Sequence, residues 1–396
     1  MPELTRASRF PLGAATTRED LSEAGREPRL DLLREHEPVS WLPSLGGWLV
    51  TSRAAARRAL SPSAATTVES PHNPVAATLG VTMLSVDGPE HRRLRHPFDR
   101  SFTRREVHAR YQAIVEEVTH DLIGSFATNG HAELTTEFAV PFSIRVAARI
   151  LGIGLADTAA VERLYSDLAA AMSYDTDPGP LARAASARAE LDELLRPEVA
   201  RLRSAPTRLG PEAAPGHERL TDAELLAQLR VILFGAIETI ASSVLSSVLL
   251  LLTHPDQLAT ARAAPGGWVA AVDEALRLIP PVAFIERWAA SDIELDGVDI
   301  TQGELIGICV VAANRDPATF PAPLVFDVSR SNAARGLSFA FGTHTCLGAQ
   351  LARVQTAVAV QALLTRLPGM TLVESGPVSG FTFRRPSSLR VAWLSP

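Results

Sequence analysis

Three features of the chain predict a mainly α-helical fold with a minor β region. Apolar residues recur at three- and four-residue spacing almost without a break from Thr103 to Arg203. A capping-box sequence, Thr221-Asp222-Ala223-Glu224, then opens a helix of about thirty residues that ends before His254-Pro255. At 1.5 Å per residue that helix is ~45 Å long, enough to cross a whole domain. Strand signals, by contrast, are short and lie mostly in the last third of the chain.

Taken in order, residues 1–40 read as irregular, apart from a helical piece near Leu30 to Arg34. Gly47-Trp48-Leu49-Val50-Thr51 reads as a strand, and the alanine/arginine run after it as a helix. Residues 61–82 are rich in Ser, Thr, Pro and Ala without a period and read as a long loop. Asp87-Gly88-Pro89 starts a helix, proline being tolerated where an N–H has no partner. Helical spacing covers 105–126, 138–151, 157–172 and 180–202, and Pro206, Gly210, Pro211, Pro215 and Gly216 mark 204–220 as a linker. Two shorter helices follow the long one, over 256–263 and 268–278. Asp296-Gly297 between two apolar triplets is a tight-hairpin signal. Residues 305–312 read as a buried strand, in which Cys309 is a small core hydrophobe. A last helix spans 347–367, and strands near 381–383 and 389–393 close the chain.

Composition narrows the function. Apolar residues are 46%, charged residues 21%, and the net charge is −6 with a pI of about 6.0, so no basic excess points to nucleic acid. Two cysteines give no disulfide framework and suggest a reducing, cytoplasmic setting. The first residues, Met1 to Arg6, hold no apolar leader. The apolar run from Val231 to Leu252 contains Glu238, Thr239 and four serines, which suits a helix buried in a protein core better than a membrane span.

Four constellations could perform chemistry. Cys346 lies in a glycine-flanked loop running into a helix, where backbone N–H groups favour a thiolate. His344, two residues away, is placed poorly as the base of a cysteine nucleophile, and no second cysteine is near enough for zinc. A haem iron with one axial thiolate fits, and so does a buried structural cysteine. Glu274 and Arg277 share a helix face and can pair. Glu238 and Thr239 sit mid-helix in Gly235-Ala236-Ile237-Glu238-Thr239, a costly place for a carboxylate unless it is used. His91 and Arg95 share one face of the helix after Pro89.

Phe339, Gly342, Cys346 and Gly348 reproduce the pattern Phe-x-x-Gly-x-x-x-Cys-x-Gly. With the other motifs in this order, the chain resembles the cytochrome P-450 family. Asn314-Arg315-Asp316-Pro317 and Leu351-Ala352-Arg353 make it similar to the soluble bacterial haem-thiolate monooxygenases. Ala340 stands where that branch usually has a second glycine, Ala236 replaces another, and Ile240 a common threonine. The resemblance implies the P-450 fold, with the long helix crossing the haem site, and a single domain over 1–396. Its helix-rich bulk would span about 87–280 and 347–367, and its β-rich portion about 40–55, 282–312 and 380–394. It also implies haem b with Cys346 as axial ligand and metal-bound group, Phe339 shielding the sulfur, and Gly348 letting the backbone approach. His91, Arg95, Arg287 and His344 would meet the haem propionates. Glu274 and Arg277, with Arg330 or Arg335, would fix the core behind the haem. Thr239, with Glu238, would steer protons to dioxygen on the side of the iron opposite Cys346.

The implied activity is insertion of one oxygen atom of O2 into a hydrophobic small molecule. Hydroxylation or epoxidation of a natural product such as a terpenoid or polyketide is expected. Electrons would come from a separate ferredoxin and its NAD(P)H-dependent reductase, docking near Arg92, Arg93, Arg100, Arg104 and Arg105, and the enzyme would be a monomer. Expected pocket walls are Val81, Met83, Leu84, Met172, Leu233, Ile237, Val282, Ile285 and Phe381. A peroxide-driven haem peroxygenase and a non-catalytic haem-thiolate binding protein are the competing readings. The Glu238-Thr239 pair weighs against the first of these.

Overall fold

The computed structural model describes residues 3–153, 158–172, 178–204 and 219–394. Helices dominate and the strands are short. The chain forms two compact units, each assembled from separated segments. One unit comprises Met1–Ser70, Thr253–Cys346 and Gly376–Ser387, the other Pro71–Leu252, Leu347–Ser375 and Ser388–Pro396.

The first unit is built on a five-stranded sheet ordered Val39–Leu42, Gly47–Val50, Leu305–Cys309, Phe284–Ala289, Thr66–Thr67. The Gly47–Val50 and Leu305–Cys309 strands pair in parallel and the other neighbours antiparallel. Helix Arg53–Leu60, capped where the Ser52 hydroxyl accepts the Ala55 N–H, packs Ala55, Ala56 and Ala59 with Trp48, Ile306 and Ile308. Asp296 (φ 47°) and Gly297 (φ 77°) turn the hairpin Ile293–Leu295/Val298–Ile300 as expected.

Several expectations are corrected here. The helical piece expected near Leu30 to Arg34 lies within Glu27–His36, but the residues before it are not irregular and form three more short helices, Glu3–Arg9, Pro11–Ala14 and Arg18–Ser22. Such helices are marginal alone. They persist because Leu21, Leu30 and Leu33 are buried in one cluster with Phe284 and Cys309, and because Thr17 and Asp20 form a capping box. The loop expected over 61–82 contains the Thr66–Thr67 strand, and the helix Pro74–Leu79 in the second unit, capped by Asn73. The 305–312 strand stops at Cys309 and turns into the helical segment Val310–Ala313. Near 381–383 there is only a bridge from Val282 to Phe383.

The second unit is helical. Its principal helices are Gly88–Asp99, Gln112–Phe126, Val140–Leu151, Thr158–Ala171, Pro178–Ser204, Asp222–Thr253 and Ala349–Arg366. Phe126 meets Phe138 edge-on and Phe138 stacks on Phe142 at 5.4 Å. A three-stranded sheet, His131–Glu133, Leu389–Ala392, Thr371–Ser375, completes it. The capping box that opens the long helix is formed: Thr221 N–H donates to Glu224 at 2.7 Å, and Glu224 N–H to the Thr221 hydroxyl at 3.3 Å. By length and composition this helix could cross a membrane, but 72% of its most apolar window is buried inside the protein, the mark of a core helix. Most of the expected 204–220 linker lies outside the described residues.

Candidate active site

The cysteine loop of the first unit is locked by its own backbone. Cys346 N–H donates to the Phe339 carbonyl at 2.9 Å, and the Thr345 hydroxyl to the Gly342 carbonyl at 2.7 Å. Gly342 has φ +77°, and a Cβ there would lie 2.1 Å from the Leu60 carbonyl oxygen, so only glycine fits. Ala340 also adopts a left-handed conformation (φ 59°), as the family's glycine would, at a cost of about 1–2 kcal/mol for a residue with a Cβ. Arg57 lies over the Phe341 ring at 4.1 Å. His344 ends a single 3-10 turn, Gly342–His344. On this frame the Cys346 side chain is exposed, whereas Cys309 is fully buried. Burial pushes the Cys309 thiol up, partly offset by the Ala312 N–H and by Arg26 and Arg384. Burial and the Arg384 charge pull Arg26 down to about 9.

An ion-pair network packs in the same unit. Arg277 grips Glu274 with two hydrogen bonds of 2.7 Å, both side chains wholly buried. Its remaining N–H groups reach the carbonyls of Asn314, Pro323 and Val325. Arg330, not Arg335, completes the network, its Nε at 3.0 Å from Glu274; the Arg335 backbone bonds elsewhere, its carbonyl accepting from Arg53 and its N–H donating to the Asn332 carbonyl at 2.9 Å. Asn314 ties this network toward the cysteine loop, accepting the Leu337 N–H at 2.6 Å and donating to the Ser338 hydroxyl. Asp316 accepts the Arg53 N–H. Arg287 is buried in the Phe284–Ala289 strand and donates to the Glu286 carbonyl. Phe381 stacks on Phe284 at 4.5 Å and belongs to the same apolar cluster. Val282 is half-buried at the bridge to Phe383. Ile285 packs instead into the cluster of Trp41, Trp48 and Val50.

In the second unit the long helix opens in its middle. Gly235 is exposed, Ala236, Glu238 and Thr239 are half-buried, and a Cβ at Gly235 would meet nothing within 4 Å. The Thr239 hydroxyl donates back to the Gly235 carbonyl at 2.6 Å, and Ser243 and Ser247 repeat this bond down the same face. Such back-bonding tends to bend a helix. Leu233 and Ile237, expected as pocket walls, are buried, as are Met83 and Met172. Met83 N–H is held by Gln228 at 2.9 Å. Val81 and Leu84 are exposed, Val81 to 64%. Gly235, a glycine within an otherwise apolar helix, is thus the exposed position that apolarity alone misses. His91 is buried, and Arg95 pairs with Asp99 at 3.0 Å. Gly348 caps the helix Ala349–Arg366.

The donor set suits a thiolate-ligated haem. It offers one exposed sulfur on a rigid glycine loop, with an aromatic residue and a histidine in the same loop. Among the described residues no group of three or more His, Cys, Asp or Glu would hold a metal by itself.

Comparison with known proteins bears on the same point. The family profile described as Cytochrome P450 matches residues 269–369. Nocardicin C N-oxygenase of Nocardia uniformis subsp. tsuyamanensis is 35% identical over 366 residues, covering 87% of this chain and 89% of that one. The 6-deoxyerythronolide B hydroxylase of Saccharopolyspora erythraea is 32% identical, covering 86% and 88%. Among solved structures, P450BioI in complex with an acyl carrier protein ligated to hexadec-9Z-enoic acid superposes with a TM-score of 0.86 at 28% identity, covering 93% of this chain and 99% of that one. With relatives this similar over nearly their whole length, the chain belongs to the cytochrome P450 family and is a haem-dependent monooxygenase.

Proposed function

We propose that this chain oxidises a hydrophobic natural product, with haem b held through Cys346. The observation that carries the reading is the exposed Cys346 on a loop whose glycine admits no other residue. The other cysteine is buried and its thiol is pushed up, which disfavours the thiolate a metal requires. The relatives named for nocardicin C and 6-deoxyerythronolide B support a natural-product substrate. One domain over residues 1–396, acting as a cytoplasmic monomer, is the arrangement proposed.

When bound, the haem supplies reductive activation of dioxygen and insertion of one oxygen atom into the substrate. The protein's residues do the rest. Cys346 presents the sulfur, and Phe339 keeps water from it. His91, Arg95, Arg287 and His344 offer donors to two carboxylates. Glu274, Arg277 and Arg330 hold the segment leading into the loop in one geometry. Thr239 holds a proton at Oγ1, where its hydroxyl can turn from the Gly235 carbonyl toward a new acceptor, and Glu238, half-buried, exchanges protons with solvent. The open face beside Gly235 gives room for substrate.

Electrons are proposed to come from a ferredoxin and its NAD(P)H-dependent reductase. Arg92, Arg100, Arg104 and Arg105 are exposed and suit an acidic partner surface. Arg93 is withdrawn from that patch, since it binds Glu90 and Glu224. The test is turnover under oxygen-18 gas with NAD(P)H, ferredoxin and reductase. One labelled atom per product is expected. Product formed only with added peroxide would favour the peroxygenase reading instead.

A further inference from the structure

The helix Arg53–Leu60 and the cysteine loop belong to the same unit and meet directly. Gly342 abuts the Leu60 carbonyl, and Phe341 packs on the cluster that holds Ala55, Ala56, Ala59 and Leu60. At this contact Arg57, half-buried, places its guanidinium 4.1 Å from the centre of the Phe341 ring. The ring holds the cation against the loop without neutralising it. The acids of the neighbouring hairpin are engaged elsewhere. Glu294 pairs with the next residue, Arg58, at 3.7 Å, and Asp296 accepts the Ser52 hydroxyl at the far end of the helix. Two more guanidinia lie close by: Arg53 is buried, and Arg335, exposed, stands just before the loop. Asp316 is the carboxylate beside Arg53, where it accepts the backbone N–H at 2.9 Å. Among the described residues none of the three guanidinia is within ion-pair distance of a carboxylate. Their like charges act on one another: Arg53 is pulled down by burial, then by Arg57 and Arg335. The helix side of the cysteine loop therefore carries a surplus of positive charge.

We infer that Arg57 tunes the reduction potential of the haem, its charge being held by Phe341 against the loop that carries Cys346. The inference rests on the reading of Cys346 as the axial ligand. Reduction adds one electron, delivered by the ferredoxin proposed above, and no bond in the protein forms or breaks. A fixed cation attracts the added negative charge, so it favours the reduced state and raises the potential. Arginine stays protonated throughout, so the field is constant with pH. It reaches the loop through packed side chains more than through bulk water, which leaves screening by solvent partial. Arg58 is the built-in comparison. It lies one residue further along the same helix with the same formal charge, but it is exposed and paired with Glu294. The ordinary role for both arginines is to complement the C-terminal end of the helix dipole. That role alone would move stability and leave the potential where it is.

The experiment is a spectroelectrochemical titration of the full-length, haem-loaded protein without its redox partner. It reads the reduced-to-oxidised ratio at an applied potential equal to the wild-type midpoint. Arg57→Gln should lower that ratio about threefold, and Arg57→Glu, with twice the charge change, about tenfold. Arg57→Lys, which keeps the charge, and Arg58→Gln should both stay within about 1.5-fold of the wild type. Added salt should narrow the gap between Arg57→Gln and the wild type. An unchanged ratio in Arg57→Gln, an equal fall in Arg58→Gln, or a fall in Arg57→Lys as large as in Arg57→Gln overturns the inference. So does an unchanged ratio with slower reduction by ferredoxin, which would make Arg57 a docking residue only. A shift in urea unfolding without a shift in potential would leave Arg57 with the helix dipole and overturn it too. The reduced carbon monoxide spectrum is recorded for every sample. Loss of the red-shifted Soret band in the wild type would sink the Cys346 reading; a normal band with unchanged ratios would sink Arg57 alone.

Discussion

Two glycines, one in each unit, show how differently the two halves of this enzyme are specified. At Gly342 an added Cβ would lie 2.1 Å from the Leu60 carbonyl, in a backbone conformation only glycine adopts easily. At Gly235 the same Cβ would meet nothing within 4 Å. The cysteine loop is over-determined: hydrogen bonds within it, the Glu274–Arg277–Arg330 network and Asn314 all fix one geometry. The middle of the long helix is under-filled, with a polar pair where packing would prefer apolar groups. A loop that positions a ligand atom needs rigidity, whereas the open face of the long helix leaves space.

Breaking the rigid side should have the largest effect. Arg277→Ala leaves the buried Glu274 without its bidentate partner and should destabilise the holoenzyme by about 3–5 kcal/mol in urea unfolding. Arg335→Ala, whose side chain is outside the network, should change stability by under about 0.5 kcal/mol. Equal effects would place the Arg335 side chain in the network and contradict the assignment above. Next, Gly342→Ala should cost more than about 2 kcal/mol and lower the fraction of protein that retains haem, through strain and overlap together.

On the open side the effects should be functional rather than structural. Thr239→Ala should cut product formed per NAD(P)H consumed by roughly tenfold or more, while unfolding shifts by less than about 1 kcal/mol. Unchanged coupling would show that the hydroxyl is merely a helix back-bond. Gly235→Ala is expected to gain about 0.5–1 kcal/mol in stability from helix propensity. It should also weaken substrate binding severalfold, because its methyl enters the open face. A loss of stability would mean that the space is not there.

Much of this contrast is legible in the sequence, for physical reasons that differ by element. The long helix announces itself by its capping box and apolar length, and the Asp296-Gly297 turn by needing two positive φ angles. Glu274 and Arg277 are visible as a pair, but their complete burial is not, because i,i+3 pairs on a solvated face look the same. Within residues 3–36 only the helical piece near Leu30 to Arg34 is legible, inside Glu27–His36; the other three helices are too short to show a period, and tertiary burial of Leu21, Leu30 and Leu33 supports the segment. Leu233 and Ile237 looked like pocket walls because apolar residues suit walls and core equally; the exposed Gly235 marks the open face instead.

The most direct test of the central claim is the reduced carbon monoxide difference spectrum of three proteins: the wild type, Cys346→Ser and Cys309→Ser. If the exposed cysteine of the rigid loop holds the haem, the strongly red-shifted Soret band is present in the wild type and in Cys309→Ser and absent from Cys346→Ser. A red-shifted band that survives in Cys346→Ser, or that is lost in a folded Cys309→Ser, would contradict the account.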